Sequence, residues 1–92
     1  MKIVFLGTGT STGVPLIGCE CAVCRSENEK DKRLRASIVV TNENTRLLID
    51  CGPDLRQQLL KNRINELDGI LITHEHYDHI GGLDDVRPLG EC

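Results

Sequence analysis

Three histidines and two acidic residues lie within six positions of the sequence, in the segment HEHYDH at 74–79. His74, His76 and His79 are all the histidines of the chain. His74 and His76 are two residues apart, so an extended segment presents both on one side, whereas Asp78 and His79 are adjacent and must diverge. Imidazole and carboxylate groups are common ligands of divalent metal ions. The spacing predicts two ligand pairs, as a two-metal site requires; the alternative is a solvated, histidine-rich loop.

A second group of potential ligands consists of Cys19, Cys21 and Cys24, in a C-x-C-x2-C pattern. Three thiolates this close together can hold one face of a tetrahedral zinc ion, but a closed structural site needs a fourth ligand. We expect that ligand to come from another chain, a solvent molecule or Cys92. The alternative interpretation is a set of incidental thiols or a redox pair.

Small and hydroxyl-bearing residues fill the segment GTGTSTG at 7–13. It does not match the dinucleotide-binding pattern G-x-G-x-x-G, because position 12 is Thr and Gly13 comes one residue late. Thr8, Thr10 and Ser11 could instead bring hydroxyl and backbone N–H groups to the metal site and receive phosphate oxygens. A loop that only packs against the rest of the chain is the alternative.

The elements that must position these groups are short. Apolar, β-branched runs predict strands at 2–7, 36–41, 45–50 and 69–73. An amphipathic helix is predicted over 55–64, and a second from about His79 to near Pro88. A strand, a crossover helix and another strand indicate an α/β fold with a mixed sheet and helices on one face. So few helices cannot cover both faces of the sheet, so we expect another surface to do so.

The length and composition of the chain indicate one small globular domain. The chain has 92 residues, of which 39% are hydrophobic and 27% are charged. Its net charge of -3 disfavours nucleic acid or an anionic membrane as a partner, and the basic residues between Lys30 and Arg35 are interpreted as a solvated loop face. No apolar run approaches the roughly 18 residues of a membrane span. Five cysteines without a signal peptide favour a reducing, cytoplasmic location.

The segment THEHYDHIGGL resembles the signature motif of the metallo-β-lactamase-fold hydrolases. FLGTGTSTGVP resembles the first strand and loop of the branch that holds ribonuclease Z-like and cyclic-phosphate phosphodiesterase-like members. LLIDCGPDLRQQL is similar to that fold's strand ending in Asp, followed by Gly and a helix. The resemblance implies that residues 1–92 are the N-terminal portion of a single such domain, forming one half of an αββα sandwich.

The resemblance also implies roles for individual residues. His74 and His76 would bind one divalent ion (Zn or Mn), while Asp78 and His79 would bind a second, and Asp78 would also handle a proton. Asp50, at a strand end, would support the site through hydrogen bonds. The loop at about 18–25 would hold a structural zinc, as a similar cysteine loop does in the cyclic-phosphodiesterase-like branch.

The expected function is therefore metal-dependent hydrolysis of a cyclic or linear phosphodiester by hydroxide generated at two metal ions. A thioester, a lactam or RNA is an alternative substrate for the same site. A non-catalytic zinc-binding interaction module is an alternative from another class. Members of this fold are longer and supply further ligands from a second half. We therefore expect this chain to be inactive alone, and to form a homo-oligomer or to associate with the missing half.

Overall fold

The computed structural model describes residues 1–89, in which four strands form one sheet. The strands run in the spatial order β1-β2-β3-β4; the first two pairings are antiparallel and the pairing of β3 with β4 is parallel. The mixed sheet predicted from the sequence is confirmed. The bounds of the strands are β1 Lys2–Gly7, β2 Ser37–Asn42, β3 Thr45–Ile49 and β4 Gly69–Leu71.

Three short α-helices connect or follow the strands. They are α1 Ala22–Arg25, α2 Leu55–Lys61 and α3 Tyr77–Ile80, and 3₁₀ turns span Glu29–Asp31 and Leu83–Val86. Helix α2 crosses over between the parallel strands β3 and β4 and packs on one face of the sheet. The core between them consists of Leu6, Val39, Leu48, Cys51, Leu55 and Leu59.

The opposite face of the sheet is also apolar. Alternate residues of a strand point to opposite faces, and residues paired across strands share a face. Phe5 and Leu71 on this face are 69% and 53% exposed, so residues 1–89 leave much of it open. The residues that the strand register places there are Ile3, Phe5, Ile38, Val40, Leu47, Ile49 and Leu71.

Two helix boundaries differ from the sequence prediction. Helix α2 ends at Lys61 rather than at 64. The Asn62 side-chain amide donates to the Gln58 carbonyl at 2.8 Å, and Arg63 takes a left-handed backbone conformation with φ 55°, which ends the helix. The prediction of one helix from His79 to near Pro88 is wrong. Two glycines follow α3, and glycine is unfavourable in a helix interior, so the chain continues as a 3₁₀ turn. None of the helices within residues 1–89 is long and apolar enough to cross a membrane.

Replacing Leu55 by Ala should lower the free energy of unfolding by about 2–5 kcal/mol, because its side chain is fully buried and the change leaves a cavity. Leu60 lies on the same helix but is 61% exposed, so Leu60→Ala is the matched control, with an expected change below about 0.5 kcal/mol. Urea denaturation followed by circular dichroism measures both. Equal losses in the two variants would contradict the packing described above.

Candidate metal centre

The histidine motif lies at the edge of the sheet where β3 and β4 both end. These strands are parallel, so their carboxyl ends lie side by side, and this is the edge where open α/β sheets hold ligands. Asp50 follows β3 directly. Thr73 and His74 are the second and third residues after β4, and Asp78 and His79 lie in α3. The chain therefore brings residues from two strand ends and one short helix into the same place.

Asp50 is the residue that ties these segments together. Its backbone is left-handed, with φ 64°, which ends β3; an Asp tolerates this conformation better than most residues. The side chain is buried, and its two carboxylate oxygens accept three hydrogen bonds. The donors are the Thr73 N–H at 2.8 Å, the Thr73 hydroxyl at 2.7 Å and His79 Nδ1 at 2.6 Å.

The charge state of Asp50 follows from these contacts. Burial acts to raise the pKa of the Asp50 carboxyl, because it disfavours the charged form. The hydrogen bonds from Thr73 and His79 act in the opposite direction and hold the pKa of Asp50 below its ordinary value. Asp50 is therefore an ionised acceptor at neutral pH, and each neighbouring group must donate a proton toward it.

This requirement determines the tautomer of His79. Its Nδ1 donates to Asp50, and its Nε2 faces Asp78 Oδ2 at 3.0 Å, a contact that requires a proton or a metal ion between the two atoms. Two ligands of one zinc ion lie roughly 3–3.5 Å apart, because each is about 2.1 Å from the ion at a near-tetrahedral angle. A histidine that is held by a carboxylate through one nitrogen and faces the ion with the other is a common arrangement around zinc. Asp78 and His79 therefore fit a shared cation.

A similar chain of hydrogen bonds orients His74. The Thr73 hydroxyl has one proton and gives it to Asp50, so it can only accept from His74 Nδ1, which lies 3.0 Å away. His74 Nδ1 must then carry a proton, and His74 Nε2 is left free as a ligand atom. The His74 ring lies 4.8 Å from that of His76 and 3.9 Å from that of His79, measured between centroids.

The turn after Asp50 contacts the segment that contains Asp78 and His79. The Cys51 N–H donates to the His79 carbonyl, and the Gly82 N–H donates to the Cys51 carbonyl, both at 2.9 Å. A Cβ on Gly52 would lie 2.1 Å from the Asp78 carbonyl oxygen, so only glycine allows this approach. Cys51 is fully buried. The short segment 50–52 thus adds backbone contacts to the hydrogen bond between the Asp50 and His79 side chains, and together they fix the position of α3.

The cysteine loop forms a separate cluster. The sulfurs of Cys19, Cys21 and Cys24 all lie within 4.8 Å of one another, and sulfurs on one tetrahedral zinc are roughly 3.8 Å apart. Within residues 1–89 the histidine-motif side chains do not form a second group of three this compact. The three thiols are free, and Cys92 lies outside the described residues. The cluster can therefore supply one face of a zinc site.

The thiols of this cluster differ in acidity. Hydrogen bonds from the Cys24 backbone, and from the Cys19 and Cys24 side chains, lower the pKa of Cys21 to about 7. The Leu16 N–H, 3.5 Å from Cys24 Sγ, lowers the pKa of Cys24, but the Cys19 thiol, burial and the Cys21 thiol outweigh it and raise that pKa overall. Cys21 is thus more readily deprotonated at neutral pH than Cys24, and the thiolate is the form that binds metal.

The glycine loop packs against the segment 33–35. Arg33 donates to the Thr8 hydroxyl at 2.9 Å, and Arg35 Nε donates to the Ser11 carbonyl at 3.0 Å. The Thr10 carbonyl accepts a turn hydrogen bond from the Gly13 N–H. The hydroxyl of Thr8 is therefore already engaged by a cation of the chain.

The interpretation of the basic segment as a solvated loop face is wrong for Arg35. Its side chain is 31% exposed and forms an ion pair with Asp54 at 2.9 Å, and its backbone N–H donates to the same carboxylate. Thr73 is not among the site residues predicted from the sequence. Its position directly before His74, after an apolar strand, was the available signal. Neither contact is visible in sequence, because the partners are 19 and 23 residues apart.

Comparison with known proteins places this fold and site in a family. A sequence profile described as the β-lactamase superfamily domain matches residues 45–91, about half of the chain, and the match spans Asp50 and the whole histidine motif. The chain belongs to this superfamily. The resemblance to the metallo-β-lactamase fold and the predicted fold class are both confirmed, and the sheet corresponds to the N-terminal region of that fold.

Two solved structures of this fold superpose closely on the chain. A diphosphatase from the PhnP family has 54% sequence identity and a TM-score of 0.92, over 95% of this chain and 34% of that one. Zn²⁺-bound PqqB from Methylobacterium extorquens has 29% identity and a TM-score of 0.77, over 92% of this chain and 33% of that one. The chain thus spans about a third of these two relatives.

One curated relative is named for a different activity. The octanoyltransferase of Porphyromonas gingivalis is 57% identical over 90 residues, which are 97% of this chain and 18% of that protein. The superfamily is one of metal-dependent hydrolases, and the chain is a hydrolase-family member in that sense.

Replacing Thr73 by Val should weaken divalent metal binding at the histidine motif by roughly 10–100-fold. This is the usual loss of affinity when a residue that hydrogen-bonds a metal ligand is removed. The change removes the hydroxyl that joins His74 to Asp50 while keeping the shape of the side chain. Thr73→Ser keeps the hydroxyl and is the control. Competition with a chromophoric chelator measures zinc affinity, and equal affinities in the two variants would show that this hydroxyl does not orient His74.

The cysteine cluster should bind one zinc ion per chain, and Cys21→Ser should abolish that binding. Zinc affinity should fall as the pH is lowered through about 7, because protons then occupy the Cys21 thiolate. Cys51→Ala is the control, since Cys51 is buried and away from the cluster. Elemental analysis after gel filtration gives the stoichiometry; an unchanged zinc content in the Cys21 variant would rule out this site.

Proposed function

We propose that this chain supplies the first set of metal ligands of a phosphodiesterase that acts on a cyclic or linear phosphodiester. The observation that carries the proposal is the buried Asp50 carboxylate, which orients His79 directly and His74 through Thr73, beside the Asp78 carboxylate. The 54% identity to a PhnP-family diphosphatase supports a phosphorus-centred substrate. The family itself accommodates other bonds, so the substrate class is the part that requires a test.

Each ligand pair has a defined task in this proposal. His74 and His76 hold one divalent ion, zinc or manganese, and Asp78 and His79 hold the second. When bound, the two ions polarise the phosphoryl group and lower the pKa of a water molecule toward neutrality. The donor set fits such ions, because it offers two imidazole nitrogens with fixed tautomers and a carboxylate oxygen beside one of them.

The remaining groups orient these ligands and handle protons. Asp50 keeps the Nδ1 proton on His79, and Thr73 keeps the Nδ1 proton on His74. Asp78, whose carboxylate lies next to His79 Nε2, is placed to take a proton during hydrolysis. Thr8, Thr10 and Ser11 are proposed to receive phosphate oxygens, with Arg33 holding Thr8 in position. Cys19, Cys21 and Cys24 are proposed to bind a structural zinc.

The proposal includes the rest of the domain. Four ligands are too few for two ions, so residues 1–92 are proposed to be one portion of a single domain that acts together with a second portion, or with another copy of the chain. The open apolar face that includes Phe5 and Leu71 supports such a partner. The free thiols support a reducing, cytoplasmic setting.

An acyl thioester is the second candidate substrate. The octanoyltransferase of Porphyromonas gingivalis, whose sequence matches this chain over 18% of its length, favours it. RNA and a lactam are further alternatives for the same site, and the net charge of -3 disfavours RNA as a partner. A zinc-binding module without catalysis would bind metal only at the cysteine cluster.

Fusing the chain to the remaining two-thirds of the PhnP-family diphosphatase should give a divalent-metal-dependent phosphodiesterase. His76→Ala in this fusion should lower the rate more than the loss of a residue that only hydrogen-bonds a metal ligand, which costs roughly 10–100-fold. The reason is that His76 is itself a proposed ligand. Glu75→Gln changes the residue between the two histidines and should leave the rate unchanged. The chain without its partner should show no measurable turnover.

A cyclic nucleotide, bis(p-nitrophenyl) phosphate and an octanoyl thioester serve as the three substrates in this assay. Hydrolysis of the thioester alone would replace the phosphodiester proposal with the acyl one. An unchanged rate in the His76 variant would exclude the metal centre as the active site.

A further inference from the structure

A basic cavity lies at the end of the sheet opposite the metal centre. Its volume is about 450 Å³, which falls within the usual range of small-molecule sites. Three cationic side chains line it, from Lys2, Arg46 and Arg63, together with the polar residues Thr41 and Asn62. Its lining contains no acidic residue, although the chain as a whole has a net charge of -3.

The strand register explains why these residues meet. Lys2 of β1 pairs with Thr41 of β2, and Thr41 pairs with Arg46 of β3, so the three side chains stand in a row on one face of the sheet. Val39 lies on the same face of the sheet. Further along the strands, α2 covers this face. Helix α2 ends at Lys61, so the row of polar residues is left open beyond it.

Arg63 completes the cavity from the helix side. It occupies the left-handed position after the end of α2, with φ 55°, where glycine or asparagine is the usual residue. The turn is held by the Arg63 N–H on the Leu60 carbonyl at 3.2 Å and the Ile64 N–H on the Leu59 carbonyl at 3.0 Å. An arginine thus stands where backbone conformation favours a smaller residue, and its side chain lines the cavity.

The three cationic side chains form no ion pair in the described part of the chain. None of the ion pairs found in residues 1–89 includes Lys2, Arg46 or Arg63. Arg46 also borders an adjacent hollow that contains Glu43, Glu66 and Asp68, and its backbone N–H donates to Asp68 at 2.7 Å. These acids lie beside Arg46 and outside the lining of the basic cavity. Like charges that face one cavity repel each other, and a bound anion relieves that repulsion.

We propose that this cavity binds the phosphate group of a small organic phosphate, at a site separate from the metal centre. Arginine and lysine together suit a doubly charged phosphate, through charge-assisted hydrogen bonds. Val4 and Ile64, which are partly buried, form an apolar side of the cavity that receives the organic part of the ligand. The site requires no metal and does not depend on the proposed hydrolytic activity.

Phenyl phosphate is the probe, titrated into the chain by calorimetry in the presence of EDTA and at constant ionic strength. We expect saturable binding that is tighter than that of inorganic phosphate, because only phenyl phosphate also contacts the apolar side. EDTA removes metal from the histidine motif, and His76→Ala should bind the probe as well as the unmodified chain does. Loss of binding in that variant would mean that the probe occupies the metal centre, and the proposal would fail.

Two substitutions that each remove one positive charge test where the probe binds. Arg63→Asn removes one cation at a left-handed position that asparagine tolerates, and should weaken binding about tenfold, the loss of one charge-assisted hydrogen bond. Lys61→Gln removes a neighbouring cation that does not line the cavity, and should change affinity less than about twofold, since exposed charges are screened. Equal weakening in both variants would show a general charge effect and overturn the proposal. Absence of saturable binding, or binding of a short single-stranded RNA but not of phenyl phosphate, would do the same.

Discussion

The hydrogen bonds to the Asp50 carboxylate are the contacts on which the candidate metal centre depends. They join the end of β3 to Thr73, 23 residues later, and to His79, 29 residues later. An ionised carboxylate only accepts hydrogen bonds, so it dictates which nitrogen of His79 carries the proton. A left-handed aspartate costs roughly 1 kcal/mol, which three hydrogen bonds to a buried charge more than offset. The position of one side chain therefore sets the orientation of ligands from two other segments.

The parts of this site that the sequence predicts are those encoded by local spacing. Cys19, Cys21 and Cys24 are close in sequence, and a loop of six residues cannot place them far apart. His74 and His76 follow a predicted strand, so their place at its carboxyl end was expected. The antiparallel pairing of β2 with β3 was also predictable, because the two β-branched runs flank a short Asn-rich turn, as in a hairpin.

The parts that sequence analysis missed depend on contacts between distant residues. Arg35 looked like one charge of an exposed basic run, yet Asp54 draws it into a half-buried ion pair. The helix predicted from His79 onward ends at Ile80, and beyond it Gly82 packs against the Gly52 carbonyl, where a Cβ would lie 2.0 Å away. Periodicity describes one segment at a time, and it contains no information about a close approach of two backbones.

The two ends of the sheet differ in charge because of how strands and helix are arranged. At the carboxyl ends of β3 and β4, the parallel pair directs Asp50 and the histidine motif to one edge. At the other end, the antiparallel pairings align Lys2, Thr41 and Arg46 across three strands. Helix α2 has seven residues, about 10 Å at 1.5 Å per residue, so it covers the apolar middle of the face and leaves this polar row uncovered. One short helix thus separates the end of the sheet that carries Asp50 and the histidine motif from the end that carries Lys2 and Arg46.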